Sequence, residues 1–246
     1  MTKDELRLRL EFYQDLGIKT IYVRPRTNNQ PPITNSQPPT TNNPPPTTVS
    51  LPAIEPAQDS LLTILTDIGD CKRCRLHEAR HKIVFGSGNE QSRLVFVGEG
   101  PGADEDQQGL PFVGRAGQLL TQMIEGTAAK EGIPINRSDV YICNVVKCRP
   151  PENRTPQPDE MEICGQFLYR QLQAIRPKAI CVLGGTAAKA LLGKEGVTRL
   201  RGKWDQWRDI QVMVTYHPSY LLRPYNQNAK KEAWEDLKKV LHYVYD

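Results

Sequence analysis

"RLVFVGEGPGADEDQQGLPFVGRAGQLL", residues 93–120, opens with an apolar β-branched run, turns through glycines and settles into a helical pattern from about Arg115. Strand, glycine turn and helix form the repeating unit of a parallel sheet covered on both faces. Taken literally, Gly98-x-Gly100-x-x-Ala103 also satisfies the dinucleotide fingerprint. Three features argue against a phosphate ligand. Pro101 removes a backbone N–H that a pyrophosphate would use. Asp104, Glu105 and Asp106 follow at once and repel phosphate. The helix is expected only near Arg115, whereas the fingerprint needs it to open at the turn. A planar, uncharged ligand suits this turn better, because glycines admit close approach of the backbone and Phe112 offers a stacking face.

Outward from this stretch the pattern alternates. Apolar runs at 93–98, 140–146, 179–184 and 210–216 read as strands, and helical periods occupy 115–131, 157–175, 185–192 and about 229–244. The expected fold is α/β, three layers around a central four-stranded, mostly parallel sheet. Ligands of such sheets bind beyond the carboxyl ends of the strands. There the chain carries "GEGPG" after the first strand, Asn144 near the end of the second, Gly184 and Gly185 after the third, and "HPSY" at 217–220 after the fourth.

Six cysteines lie at 71, 74, 143, 148, 164 and 181, with no secretory signal before them. A metal site is therefore the better expectation than a disulfide framework. Cys71-x-x-Cys74 is a ligand pair by spacing, and Cys148 and Cys164 supply two more thiols. Four thiolates suit tetrahedral zinc or an iron–sulfur cluster, and spacing alone does not choose between them. Cys143 and Cys181 fall inside strands and read as core, although Cys143 lies close enough to Cys148 to be an alternative ligand.

Residues 1–24 are read as a short N-terminal helix or extension, in which Thr2 and Glu5 have capping-box spacing and Leu6, Leu10 and Tyr13 share a face. It suits either a solvated appendage or a docking helix for a protein partner. Residues 25–58 are rich in Pro, Thr and Asn, hold ten of the twenty prolines and carry no charge between Thr27 and Ile54. Such a stretch buries too little apolar surface to order itself and reads as a linker. Residues 59–246 form the expected domain. Residues 1–60 are charge-balanced, so the net charge of +4 belongs to the rest, an excess that permits a polyanionic partner. No run is long and apolar enough for a membrane span, and a monomer in the cytoplasm is expected.

Together the Cys71/Cys74 pair, "VFGSGN" at 84–89, "GEGPGADEDQQGLPFVGRAGQLL" at 98–120, "VYICNVVKCRPPENRTPQPDE" at 140–160, "RGKW" at 201–204 and "HPSYLLR" at 217–223 closely resemble the family 4 (iron–sulfur) uracil-DNA glycosylases. These motifs run in family order across nearly all of residues 60–246. The resemblance implies a [4Fe-4S] cluster on Cys71, Cys74, Cys148 and Cys164, and hydrolysis of the N-glycosidic bond of deoxyuridine in DNA, as in base excision repair. It also implies a uracil pocket formed by the backbone of Glu99 and Gly100 with Glu105, Phe112, Asn144 and His217. Asn144 would accept from uracil N3–H and donate to O4, a pattern that cytosine reverses. Phe112 would stack on the extruded base. Glu105 would lie beside C5 against a thymine methyl, and His217 would donate to O2 of the departing base. Gly100 stands where many relatives carry a water-orienting Asp, so a dissociative route is expected, with Gly100 backbone or a nearby carboxylate positioning water. Tyr220, Leu221, Leu222 and Arg223 are expected to form a DNA wedge or else a core-facing turn, and Lys147, Arg149 and Arg154 to meet phosphates or form a solvated loop. A covalent uracil-binding relative is the nearest alternative, but "KCRPPENRTP" lacks the histidine it would need. A non-catalytic iron–sulfur DNA-binding protein and a zinc-stabilised nucleotide-binding domain are the others.

Overall fold

The computed structural model describes residues 59–246. The expectations for 1–24 and 25–58 lie outside the described residues. Six strands form one sheet: β1 (Ser87–Gly88), β2 (Leu94–Gly98), β3 (Tyr141–Asn144), β4 (Ala179–Leu183), β5 (Trp204–Trp207) and β6 (Ile210–Thr215). Their order is β1-β3-β2-β4-β6-β5. The inner four are the four expected strands and all run parallel. The expected sheet gains two antiparallel edge strands, β1 on β3 and β5 on β6. Among the described residues no helix is long and apolar enough to cross a membrane.

The inner strands are buried throughout except at Gln211, because helices cover both faces. Helices α1 (Leu61–Ile68), α4 (Pro158–Ile175) and α5 (Gly185–Leu192) pack on the face that carries Val95, Val97, Cys143, Ile180, Val182, Val212 and Val214. Helices α3 (Arg115–Lys130) and α8 (Gln227–Tyr245) cover the opposite face, with Leu94, Phe96, Ile142, Cys181, Leu183 and Met213. This period-two sorting of each strand is the pleat expressed as packing. It also divides the cysteines, since Cys181 lies across the sheet from Cys148 and Cys164.

One expectation about the glycine turn is corrected. A short helix, α2 (Ala103–Gln108), opens directly at the turn, ahead of the helix at Arg115. Its start is capped by its own Glu105, whose carboxylate accepts from Gly102 N–H at 3.1 Å, and Gly109 ends it in the left-handed region. Late helix onset therefore gives no argument against a phosphate. The acidic first turn still does, since Asp104, Glu105 and Asp106 occupy the end where an anion would sit.

The remaining helices are α6 (Val197–Leu200) and α7 (Pro218–Leu221). Arg201, in the "RGKW" motif, ties the β5–β6 edge to α8 by donating to Asp236 at 2.6 and 3.0 Å and to Glu232 O at 2.7 Å. Thr215 Oγ1 donates to the same buried Asp236 at 2.7 Å. The end of β6 is thereby fixed, and the residues that follow it, beginning with Tyr216 and His217, are aimed by a rigid strand.

Candidate active site

Strands β2 and β3 end side by side, with Gly98 paired in register to Asn144. Their partners one step back, Phe96 and Ile142, face α3 and α8, so Gly98 and Asn144 face that side too. A Cβ on Gly98 would lie 2.4 Å from Asn144 Oδ1 and 2.5 Å from Phe112 Cζ. Asn144 and Phe112 therefore close together over a glycine, where any side chain would clash with both. Asn144 is 1% exposed, and its Oδ1 is buried without a hydrogen-bond partner. A buried acceptor left unpaired costs roughly 1–3 kcal/mol. Such an atom beside an aromatic ring is a place for a ligand N–H.

Phe112 is held there at some cost. Its φ is +53°, the left-handed region, which costs a non-glycine residue about 1–3 kcal/mol. Glu105 helps to impose this conformation by accepting from Val113 N–H at 2.8 Å and Gly114 N–H at 2.9 Å. Gly117 of α3 lies so close that a Cβ there would come 1.9 Å from Phe112 O. The Glu105 carboxylate is thus engaged with two backbone N–H groups of this loop and with that of Gly102 at the start of α2.

His217 completes the constellation, its ring centroid 5.6 Å from that of Phe112 at a 36° tilt. The Ser219 N–H donates to His217 Nδ1 at 3.2 Å, which assigns the proton of the neutral ring to Nε2. Burial pushes this imidazole down to about 4, and the Glu105 carboxylate opposes that shift without overcoming it. The ring is neutral at pH 7, with Nε2–H ready to donate. Gly184, at φ +94°, packs under His217 with its would-be Cβ 3.0 Å from His217 Cβ.

Glu99 and Gly100 follow Gly98 directly at the end of β2. Their turn is stitched to β3 by Val145 N–H to Gly98 O at 2.9 Å and Val146 N–H to Glu99 O at 3.2 Å. Thr186 Oγ1 donates to the Glu99 carboxylate. A Cβ on Gly100 would lie 2.7 Å from Val146, so glycine lets the chain pass close to that side chain.

On the other face of the sheet, Cys148 and Cys164 are buried, Cys71 and Cys74 pack against the same core cluster, and all four are free thiols. They feel one another electrostatically: Cys71 and Cys74 both raise Cys148, and Cys74 and Cys148 both raise Cys164. Burial, the larger cause, pushes Cys148 up to about 11 and Cys164 up to about 12. Donors already point at the sulfurs, with Arg80 Nη1 3.5 Å from Cys148 Sγ and Lys147 N–H 3.2 Å from Cys164 Sγ. Among the described residues no set of three or more His, Cys, Asp or Glu side chains could hold a metal ion as it stands.

Two surface expectations change. Lys147 is fully buried, donating to Asn144 O at 2.7 Å and Gln171 Oε1 at 2.6 Å, and is therefore unavailable to phosphate. Leu221 is 1% exposed and packs with Ala229, Ala233, Leu119 and Met123, so it is no wedge. Tyr220 remains exposed, stacked on Tyr216 at 5.3 Å with the Arg223 guanidinium 5.9 Å from its ring. Sequence reasoning missed the packing role of Gly98 and the buried Lys147. The first was legible in principle, because a glycine ending an otherwise bulky apolar strand signals close approach.

The Uracil DNA glycosylase superfamily profile matches residues 85–238 of this chain. The type-4 uracil-DNA glycosylase of Thermotoga maritima is 44% identical over 191 residues, covering 76% of this chain and 96% of that protein. That of Archaeoglobus fulgidus is 44% identical over 191 residues, 74% of this chain and 92% of its own length. A type-5 uracil-DNA glycosylase of Pyrobaculum aerophilum is 31% identical over 166 residues, 63% of this chain and 71% of that one. The extent of these matches, spanning the glycine turn, Asn144 and His217, means that the chain belongs to the uracil-DNA glycosylase superfamily, in its type-4 branch.

Proposed function

We propose that this chain hydrolyses the bond between uracil N1 and deoxyribose C1′ in DNA, freeing uracil and leaving an abasic site. One observation carries the reading at residue level: the unpaired Oδ1 of buried Asn144, set against Gly98 beside the Phe112 ring. Uracil presents an N3–H donor there and its face to Phe112. Cytosine presents an acceptor at that position and leaves Asn144 unpaired, a mismatch that rejects ligands strongly. The base must leave the stack to enter, since no duplex base can reach a site at the end of a sheet.

Cleavage sends the electron pair of the N1–C1′ bond to uracil, where it spreads onto O2. A neutral His217 that donates Nε2–H to O2 gains strength as that charge develops, so it stabilises the transition state more than the bound substrate. Water then adds to the C1′ cation and gives up a proton, and the uracil anion is protonated. We assign the placing of that water to the Gly100 backbone and the Glu99 carboxylate, which Thr186 orients. Glu105 acts here by bracing the loop that bears Phe112, the ring on which the base stacks.

We assign a [4Fe-4S] cluster to Cys71, Cys74, Cys148 and Cys164. Four cysteine sulfurs are the donor set that such a cluster would take. Thiols held up to about 11 and 12 by burial need a cationic centre to ionise, and Arg80 and the Lys147 N–H supply donors to the thiolates. When bound, the cluster ties three distant segments together as a structural knot. The enzyme is assigned to the cytoplasm, acting as a monomer on uracil-containing DNA.

Matched oligonucleotides bearing uracil, thymine or cytosine test the reaction, with release expected from uracil alone. Asn144→Ala and His217→Ala are each expected to slow single-turnover excision by about 100- to 1,000-fold. Gly98→Ala, whose Cβ would push against both Asn144 and Phe112, should cost a similar factor. Full activity in Gly98→Ala would contradict this pocket.

Titration of His217 followed by side-chain nitrogen NMR should find a neutral ring with its proton on Nε2 at pH 6. Its folded pKa of about 4 lies below the unfolded ~6.5. Between these values the unfolded chain binds more protons, so the contribution of this group to stability is present above pH ~6.5 and lost as pH falls towards 4. A charged ring at pH 6 would remove the neutral-donor role.

Purified protein should be brown, absorb broadly near ~400 nm and contain about four irons and four sulfides per chain. Removing the iron with a chelator should lower the melting temperature. A colourless protein holding one zinc would contradict the cluster.

A further inference from the structure

We propose that Arg137 is a positioning residue for the base-stacking ring, holding Phe112 in its left-handed conformation together with Glu105. This rests on the reading that Phe112 stacks on uracil. Arg137 begins the one-turn helix Arg137–Asp139 just before β3, 25 positions beyond Phe112 in the chain. Its guanidinium donates to Pro111 O at 2.7 Å, Thr121 Oγ1 at 2.9 Å and Gly117 O at 3.4 Å. One fork thus joins the loop in front of Phe112 to the helix behind it.

The geometry of the two clamps is specific. The φ of Phe112 is set by the peptide plane between residues 111 and 112, and its ψ by the plane between 112 and 113. Arg137 holds the carbonyl of the first plane, and Glu105 holds the N–H of the second. With both planes fixed, a φ of +53° follows although phenylalanine disfavours it. Gly117 adds a wall, because its missing Cβ allows α3 to touch Phe112 O. If either clamp is released, the backbone relaxes towards ordinary φ and the ring leaves its place over Gly98. Lysine cannot replace Arg137 fully, since three acceptors in different directions need a planar fork.

Single-turnover excision from uracil-containing single-stranded DNA tests this with Arg137→Gln, Arg137→Lys, Phe112→Leu and the double variant Arg137→Gln/Phe112→Leu. Arg137→Gln should slow the chemical step by about 10- to 100-fold while DNA affinity changes less than about twofold, because a misplaced ring affects the bound base and not the phosphate contacts. Arg137→Lys should recover only part of the rate. In the double variant the loss should match that of Phe112→Leu alone within about threefold, since both changes act through one ring. Thermal melting accompanies each variant. If Arg137→Gln fails to fold, Arg137→Lys decides: a slowed rate at an unchanged melting temperature supports the assignment, and full rate overturns it. Losses that multiply in the double variant also overturn it. Wild-type protein that releases no uracil would overturn the functional reading itself, whereas wild-type activity with multiplying losses removes only the part given to Arg137.

Discussion

A folded chain that buries a carbonyl oxygen without a donor gives up roughly 1–3 kcal/mol, and this one does so at Asn144. The arrangement persists because the rest of the site is built around it. Gly98 stands opposite in the sheet, where any side chain would clash, and Phe112 closes one side from a backbone conformation that phenylalanine avoids. Each of these features is unfavourable by itself. Their coincidence at the carboxyl edge of a parallel sheet, where ligands of such folds bind, is what the proposed uracil reading rests on.

The sheet separates chemistry from reinforcement. The Asn144–Phe112 site lies on the α3/α8 side, and the four cysteines lie on the α1/α4/α5 side. Lys147 joins the two, because its buried ammonium donates to Asn144 O while its own backbone N–H donates to Cys164 Sγ. The segment from Asn144 to Cys148 is therefore anchored at both ends. Disturbance of the cysteine site would reach the pocket through it without any long-range wire.

Much of this was legible from sequence, and the reasons differ by element. The inner strands are continuous β-branched runs, and the long helices carry clear periodicity, so packing and local pattern agree. Helix α2 was missed because "ADEDQQ" is short and polar. Its stability comes from Glu105 capping its own first turn and from contacts with the loop at 113–114. Strand β5 was missed because "WDQW" is an edge strand, half-exposed and paired on one side only. Leu221 read equally as a wedge or as a core-facing residue, because the choice depends on how a one-turn helix is rotated, and it lies in the core. Lys147 sits among basic residues in "KCRPPENR", and nothing local signals that its ammonium is buried. Arg137 gives no sequence signal, since its partners are reached only through the fold.

The central claim is that Asn144 reads a ligand N–H, and the most direct measurement compares single-turnover release of uracil and of N3-methyluracil from otherwise identical single-stranded oligonucleotides. Methylation removes the donor that Asn144 Oδ1 requires and leaves the glycosidic bond in place. The account predicts rapid release of uracil and release of the methylated base at least ~1,000-fold slower, as expected for a site whose buried acceptor is left unpaired. Rates within about threefold of each other would contradict it.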